Sequence, residues 1–210
     1  MQNKLGEVLA QAGVVPVLVI DDAKEALPLA QALVEGGLNV LEVTLRTKAA
    51  LAAVEEIAKH LPDAHVGTGT VMSAEDIRRS VDAGATFMVS PGTTEKLLDA
   101  AAECPVPLLP GAASPSEVMR LYERGYRYQK FFPAQAAGGV PMLKSIGGPL
   151  PQVQFCPTGG IGPGNATDYL GLANVVCVGG SWMASPALVK EKNWDEVTRL
   201  AREAAALGNG

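Results

Sequence analysis

The sequence predicts an α/β fold in which a parallel sheet closes into a (β/α)8 barrel, and three observations lead to this prediction. Short β-branched or apolar runs alternate with longer amphipathic segments in a unit that repeats about every 20 to 25 residues. The runs are apolar on both faces, which is typical of buried strands in a parallel sheet. Each link between runs is long enough for a crossover helix, and eight such units favour closure into a barrel.

The predicted strands and helices alternate from residue 14 to residue 207. Strands are expected at residues 14–20, 40–46, 66–71, 86–90, 107–109, 127–132, 152–156 and 175–178. Helices are expected at residues 21–36, 48–61, 73–84, 93–104, 114–125, 139–146, 165–172 and 193–207. No linker or low-complexity segment divides the chain, so residues 1–210 are expected to form a single barrel domain.

Capping residues support the predicted helix boundaries. Helix starts carry the N-capping pairs Ser73 with Asp76, Ser114 with Glu117 and Asn193 with Glu196. Helix ends carry Gly36, Gly84 and Gly125. An open, doubly wound sheet is an alternative, but the glycine-rich fingerprint expected after its first strand is absent from residues 19–22, which read VIDD.

Composition argues against several classes of partner. The net charge is −5 and no basic run is interleaved with aromatic residues, so we expect no nucleic acid. The apolar run at residues 14–20 is too short to cross a membrane, so we expect a soluble, unexported protein. Cys104, Cys156 and Cys177 are odd in number and widely separated, which fits a reducing cytoplasm. His60 and His65 lack the spacing of a metal pair, and we expect them to be structural.

The second predicted strand has a polar face. Glu42, Thr44 and Arg46 fall on one side of it because side chains alternate along a strand. Active sites of (β/α)8 barrels lie at the carboxyl ends of the strands, so this face marks a candidate site. The alternative is that Glu42 and Arg46 form a buried structural ion pair inside the barrel.

The sixth predicted strand places a lysine among aromatic residues, because Lys130 shares a side with Tyr128 and Phe132. An apolar cage disfavours the ammonium form, and the neutral amine is the form that attacks a carbonyl to give an imine. Arg46 would add to this effect if it pointed into the same cavity. The alternatives are that Lys130 extends to solvent or pairs with Glu42.

Glycine-rich turns follow the seventh and eighth predicted strands, at residues 158–162 (TGGIG) and 179–181 (GGS). Backbone N–H groups in such turns can form the phosphate site that barrels often place in their last two loops. The third strand ends in residues 67–70 (GTGT), where glycines admit a close ligand and hydroxyls can donate to a carboxylate. These turns favour a phosphorylated acid as the ligand.

The strand ends resemble those of a known family. The motifs occur one per strand end, at residues 42–47 (EVTLRT), 67–71 (GTGTV), 90–92 (SPG), 130–134 (KFFPA), 155–161 (FCPTGGI) and 179–182 (GGSW). Together they resemble the 2-keto-3-deoxy-6-phosphogluconate (KDPG) aldolase family over nearly the whole chain. One departure is Gln135, which stands where relatives often carry glutamate.

The resemblance implies a class I aldolase, a lyase that needs neither a cofactor nor a metal because an imine activates the substrate. Lys130 would form the Schiff base and Glu42 would move protons. The substrate-binding residues implied are Arg46 and Thr70 at the carboxylate, Pro91 in the turn beside them, Phe132 against the keto acid, Thr158 near the hydroxyl-bearing carbons, and Gly159, Gly160, Gly180 and Ser181 at the phosphate.

The resemblance also implies the substrates. Family members cleave KDPG to pyruvate and glyceraldehyde 3-phosphate in the Entner–Doudoroff pathway, often cleave 4-hydroxy-2-oxoglutarate (KHG) to pyruvate and glyoxylate, and form trimers. We therefore expect a cytoplasmic homotrimer that binds a phosphorylated keto acid. Two rival functions for such a barrel are a sugar-phosphate epimerase or isomerase, with Glu42 as base and Lys130 as its electrostatic partner, and a noncatalytic phosphate-binding regulator.

Overall fold

The computed structural model describes residues 2–208, so Met1 and residues 209–210 of the predicted domain lie outside the described residues. The strands are β1 (Val14–Leu18), β2 (Val40–Thr44), β3 (His65–Gly69), β4 (Phe87–Val89), β5 (Leu108–Leu109), β6 (Gly111–Ala112), β7 (Tyr128–Phe131), β8 (Gln154–Pro157) and β9 (Val178–Gly180). The α-helices are α1 (Gln2–Ala10), α2 (Ala26–Glu35), α3 (Ala50–His60), α4 (Ala74–Asp82), α5 (Glu95–Ala102), α6 (Pro115–Glu123), α7 (Gly139–Gly147), α8 (Ala166–Leu170), α9 (Pro186–Lys190) and α10 (Trp194–Leu207).

The strands form a closed parallel barrel. They pair in the orders β5-β4-β3-β2-β1-β9 and β6-β7-β8. On one side the two sets are joined between β8 and the residues just before β9, where Val176 N–H donates to the carbonyl of Phe155 at 3.0 Å. On the other side, β5 and β6 are two parts of one strand interrupted at Pro110, whose carbonyl still accepts from Lys130 N–H at 2.8 Å. The predicted barrel is confirmed, and the open doubly wound sheet is wrong.

The parallel register sets the height of each residue in the barrel. Glu42 in β2 lies beside Val17 of β1 and Gly67 of β3. Lys130 in β7 lies beside Gly111 of β6 and Cys156 of β8. This register leaves the glycine turns after β8 and β9 at the carboxyl end of the barrel, where such folds place their sites.

Most predicted elements are present, with shifted ends. Strand β2 ends at Thr44 instead of residue 46, and β9 begins at Val178 instead of residue 175. Helices α1 and α9 were not predicted, so residues 2–208 contain ten α-helices instead of eight. The predicted first helix begins as a 3-10 turn, Ala23–Glu25, before α2. Helix α1 has no acidic residue in its first turn and no basic residue in its last turn, so it carries few of the local signals that mark a helix.

The predicted N-caps are confirmed. The side chains of Ser73, Ser114 and Asn193 each accept a hydrogen bond from the backbone N–H three residues later, and Ser114 forms a full capping box with Glu117. At the end of α2, the left-handed residue is Gly37, with φ 93°, and not Gly36. The helices are therefore bounded largely as their local sequence predicts.

Helix α1 covers the amino end of the barrel. Its apolar residues pack into the barrel interior with the starts of the strands; they are Leu5, Val8 and Leu9, followed by Ala12. Gly6 lies so close to the ring of Tyr128 that any side chain at position 6 would overlap it. The Gln2 side chain accepts from the backbone N–H groups of Arg127 and Tyr128, at 3.1 Å each. No helix within residues 2–208 is long and apolar enough to cross a membrane.

Candidate active site

A buried lysine and a buried glutamate meet inside the barrel. Lys130 Nζ lies 3.3 Å from Glu42 Oε1, although the two residues are 88 positions apart in the chain. The residues are 5% and 3% exposed. Lys130 Nζ also lies 5.4 Å from the centre of the Phe132 ring, within the range of a cation–π contact. Burying two charges is costly unless they pair, so the ion pair with Glu42 fixes the position of Lys130 Nζ.

Gly69 makes room for the carboxylate. A Cβ at position 69 would overlap Glu42 Oε1, so the glutamate occupies the space that any other residue at the end of β3 would fill. Gly67 plays a similar part for the Phe87 ring lower in the barrel. The glycines of the GTGT motif therefore serve internal packing, and only Gly69 acts next to the ion pair.

Arg46 does not belong to the polar face of β2, because the strand ends before it. The Arg46 side chain is exposed, and its Nε donates to Thr70 Oγ1 at 3.3 Å. The alternative of a buried Glu42–Arg46 ion pair is therefore wrong, since Glu42 pairs with Lys130. Thr44, the remaining polar residue of the predicted face, donates to the Leu18 carbonyl at 2.9 Å and has a structural role.

Thr70 adopts a strained backbone conformation. Its φ is 63°, in the left-handed region that a β-branched residue rarely occupies. Such a conformation costs about 1–3 kcal/mol and is found mostly at functional sites. The strain turns the chain after β3 so that the Thr70 hydroxyl meets Arg46. Their side chains thus place a cation and a hydroxyl side by side at the carboxyl end of the barrel.

A cavity of about 260 Å³ lies at the same end of the barrel. It is lined by Val17, Arg46, Phe132, Thr158, Gly159, Gly160, Ile161, Gly179, Gly180 and Ser181. Phe132 is shared, since its ring contacts the cavity and also faces Lys130 Nζ. Larger hollows of about 390 and 410 Å³ on the helical surface contain none of the predicted site residues. The cavity therefore brings together predicted residues at or just beyond the ends of β2, β7, β8 and β9, whereas Glu42, Thr70, Pro91 and Lys130 are not in its lining.

Thr158 carries an unpartnered hydroxyl in this cavity. Its Oγ1 is buried and has no hydrogen-bond partner within the described residues. The hydroxyl lies against Gly179, where a Cβ would overlap it. A buried polar atom without a partner costs about 1–3 kcal/mol, so its presence at the cavity wall suggests that a ligand supplies the partner.

The two glycine turns depend on the absence of side chains. Gly159 and Gly160 have φ values of 104° and 74°, which only glycine adopts readily. A Cβ on Gly180 would overlap the ring of Trp182. Ser181 is exposed and precedes the 3-10 turn Trp182–Ala184. Open backbone at these positions lets an anion approach the N–H groups closely.

The Pro91 turn approaches the lysine strand through a glycine. A Cβ on Gly111 would overlap the Pro91 carbonyl, and Gly111 is the register neighbour of Lys130. The Ser90 hydroxyl accepts from Gly111 N–H at 3.3 Å, which holds the turn in place. The structure therefore puts Pro91 one strand away from Lys130.

The remaining candidate groups have structural surroundings. Cys104, Cys156 and Cys177 are all free and buried. The hydrogen bond with Cys156, together with burial and the nearby Glu42 charge, raises the pKa of the Cys177 thiol well above its usual range. His60 Nδ1 lies 2.9 Å from the Glu56 carbonyl at the end of α3. Across residues 2–208, no three His, Cys, Asp or Glu side chains gather into a possible metal site.

The sequence pattern misses Val17, and it marks the motifs that contain Gly69, Ile161 and Gly179 without assigning these three residues individual roles in the site. Gly69 and Gly179 lie inside glycine motifs, and their role as space for Glu42 and Thr158 depends on contacts across strands. Ile161 lies within the first glycine turn, residues 158–162, so the motif itself indicates that Ile161 is close to the ligand. Val17 is an ordinary apolar strand residue, and no local pattern marks it.

Comparison with known proteins assigns the family. The family model described as "KDPG and KHG aldolase" matches residues 5–200. The chain belongs to the KDPG and KHG aldolase family. It is 52% identical to a "2-dehydro-3-deoxy-phosphogluconate aldolase" of Pseudoalteromonas atlantica, over 95% of this chain and 93% of that protein. It is 49% identical to a "KHG/KDPG aldolase" of Escherichia coli, over 94% and 92% of the two chains.

Solved structures of the family share the barrel. The KDPG aldolase of Legionella pneumophila, with pyruvate captured as a covalent carbinolamine intermediate, is 50% identical with a TM-score of 0.94 and covers 95% of this chain and 97% of its own. The Zymomonas mobilis KDPG aldolase with 3-phosphoglycerate is 46% identical with a TM-score of 0.91, covering 99% and 97%.

Proposed function

We propose that this chain is a class I aldolase that cleaves KDPG to pyruvate and glyceraldehyde 3-phosphate. The observation that carries the proposal is the buried contact of 3.3 Å between Lys130 and Glu42 beside a glycine-lined cavity. The family relatives named as aldolases support it, and so does the carbinolamine trapped in the Legionella pneumophila relative, since a carbinolamine precedes an imine.

The ion pair supplies both the nucleophile and the acid. When the Lys130 ammonium passes a proton to Glu42, the neutral amine attacks the C2 carbonyl of the substrate to form a carbinolamine. Glu42 then returns the proton to the departing hydroxyl, water leaves, and a protonated imine remains. The contact distance is within reach of direct proton transfer or of transfer through one water.

The imine then accepts the electrons of carbon–carbon cleavage. Glu42, now ionised, removes the proton of the C4 hydroxyl, and the C3–C4 bond breaks to release glyceraldehyde 3-phosphate. The electron pair of that bond leaves an enamine of pyruvate on Lys130. Glu42 protonates the enamine carbon, and addition of water to the imine frees pyruvate and the amine. One carboxylate serves every step because it stays beside Nζ and holds the proton between steps.

The substrate is held by charge at one end and by backbone at the other. Arg46 and Thr70 would bind the carboxylate, with the Pro91 turn beside them, and Phe132 would pack on the keto acid. Thr158 would direct its unpartnered hydroxyl to the hydroxyl-bearing carbons. The phosphate would be bound by Gly159, Gly160, Gly180 and Ser181, all of which line the cavity.

The proposal extends to a second substrate and to the assembly. The KHG/KDPG aldolase of Escherichia coli is a close relative, and KHG offers the same carboxylate and ketone to Arg46 and Lys130, so the chain should also cleave KHG to pyruvate and glyoxylate. From the family resemblance, we further propose that residues 1–210 act as one barrel domain in a cytoplasmic homotrimer.

Trapping with borohydride tests the proposal. The protein is incubated with pyruvate, reduced with sodium borohydride, digested and analysed by mass spectrometry. A reduced imine on Lys130 is expected, because hydride converts the imine into a stable secondary amine. The assay is paired with cleavage of KDPG, followed by the release of pyruvate.

Two lysine variants serve as controls. Lys130→Ala should give neither adduct nor cleavage, whereas Lys144→Ala, which removes an exposed lysine from α7, should give both. Recovery of unmodified Lys130 from the wild-type protein would refute the aldolase. Isomerised sugar phosphate without pyruvate would instead favour the epimerase or isomerase function, with Lys130 acting only as the partner of Glu42.

A further inference from the structure

The first glycine turn, residues 158–162, is supported by two residues that do not line the cavity. Asn165 holds it from one side, because its Nδ2 donates to the Gly160 carbonyl at 3.0 Å and its Oδ1 accepts from Gly162 N–H at 2.9 Å. From the other side, Gln135 N–H donates to the Gly159 carbonyl at 3.0 Å. The turn is therefore held at both ends by residues outside the cavity lining.

The Gln135 side chain lies directly against the turn. A Cβ on Gly160 would be 2.7 Å from Gln135 Cβ, so Gln135 occupies the space behind the glycine backbone. Gln135 Oε1 accepts a hydrogen bond of 2.7 Å from the Tyr169 hydroxyl. This contact spans 34 residues and joins the segment after β7 to α8, the helix that follows the turn.

Tyr169 is a rigid anchor for this contact. It belongs to α8, is 1% exposed and packs in the hydrophobic core. Burial raises the pKa of Tyr169 above its ordinary value, so the hydroxyl keeps its proton and donates to the amide oxygen. Gln135 itself is exposed, and without this bond its long side chain would be free to change rotamer.

We propose that the Tyr169–Gln135 hydrogen bond is a positioning contact that holds the Gly159–Gly160 turn in its phosphate-binding conformation. The inference rests on the proposed function, in which this turn binds the substrate phosphate. Loss of this hydrogen bond should therefore weaken the binding of phosphorylated substrate. It should leave the chemistry at Lys130 unchanged, because neither side chain lines the cavity or contacts the ion pair.

Tyr169→Phe tests the proposal, since it removes the hydroxyl and keeps the buried ring. Loss of one hydrogen bond predicts a rise in the KM for KDPG of about 3- to 10-fold, with kcat within about twofold of wild type. The inhibition constant of inorganic phosphate, used as a competitive inhibitor of KDPG cleavage, should rise by a similar factor. The kcat/KM for KHG, which has no phosphate, should stay within about twofold. If the Tyr169 hydroxyl served only the stability of the fold, Tyr169→Phe would lower the kcat/KM for KDPG and for KHG by the same factor.

Gln135→Met gives a second variant at an exposed position, which keeps the side-chain length and removes the acceptor. If one hydrogen bond is responsible, the double variant should match each single variant instead of adding their effects. Tyr122→Phe is the matched control, because it removes a hydroxyl from the partly exposed face of α6, and its KM for KDPG should not change.

The outcomes separate this inference from the proposed function. If wild type cleaves neither substrate and traps no pyruvate, the aldolase proposal fails. If wild type is active but Tyr169→Phe and Gln135→Met leave the KM for KDPG unchanged, or change KDPG and KHG equally, the positioning role is overturned. Additive effects in the double variant would also overturn it.

Discussion

At the amino end of the barrel, α1 fills the interior with Leu5, Val8 and Leu9, whereas the carboxyl end holds the cavity and the Glu42–Lys130 pair. Both ends are made from the same strands. The amino end buries apolar side chains in close contact, and burial of each large side chain stabilises the fold by about 1.5–3 kcal/mol. The carboxyl end buries charges and an unpartnered hydroxyl, which lowers stability.

This difference separates the residues that stabilise the barrel from those that bind and react. At the carboxyl end the chain retains a left-handed Thr70, the buried charges of Lys130 and Glu42, and glycines that make room for Glu42 and Thr158. Each feature costs stability, so each is expected to contribute to activity. Substitutions at the carboxyl end should therefore lower activity, whereas substitutions at the amino end should lower stability and leave activity unchanged.

The largest effect is expected from Lys130→Met, which removes the nucleophile and should lower kcat/KM by at least about 10⁴-fold. It should also reduce the free energy of unfolding by about 3–5 kcal/mol, because Glu42 stays buried without its partner. The double variant that combines Lys130→Met with Glu42→Gln should recover most of that stability and none of the activity. Urea unfolding and pyruvate release measure the two quantities. Residual activity within tenfold of wild type would contradict the comparison.

At the amino end, Leu5→Ala should lower stability without lowering activity. Leu5 is fully buried, so its truncation should reduce the free energy of unfolding by about 2–5 kcal/mol. The kcat/KM for KDPG, measured well below the unfolding temperature, should stay within about twofold, because the buried cluster that contains Leu5 includes none of the residues that line the cavity. Gln11→Ala, at an exposed position just after α1, is the control and should alter neither. A large loss of activity in folded Leu5→Ala would show that the two ends are coupled.

Gly69→Ala should have a smaller effect on activity than loss of Lys130. The new Cβ would overlap Glu42 Oε1 and displace the carboxylate, and a displacement of this kind costs about 10²-fold in rate. Lys130 keeps its amine, so borohydride should still trap pyruvate on it, but more slowly than in wild type because Glu42 supplies the proton for the loss of water. Gly148→Ala is the control, because Gly148 has φ −60° and its added Cβ would meet no atom closer than 3.6 Å. Unchanged cleavage in Gly69→Ala would contradict the role of Gly69 as space for the carboxylate.

Much of the site could be predicted because its residues break the pattern of their own strands. Lys130 and Glu42 are charged residues within strands that are otherwise buried, and the glycine turns occur at equivalent places after β8 and β9. Contacts across the barrel could not be predicted in this way. The alternation of side chains predicts Arg46 on the face of Glu42, but β2 ends at Thr44, so Arg46 lines the cavity with an exposed side chain and does not meet Glu42.

The barrel, the helix caps and the chemical groups at the strand ends can be predicted from local signals along the chain, namely the hydrophobic periodicity, the capping pairs and the glycine turns. The pairing of Glu42 with Lys130, the room that Gly69 makes for the carboxylate and the packing of α1 into the amino end depend on the tertiary structure. These contacts join residues far apart in the chain, and closure of the barrel alone sets their distances.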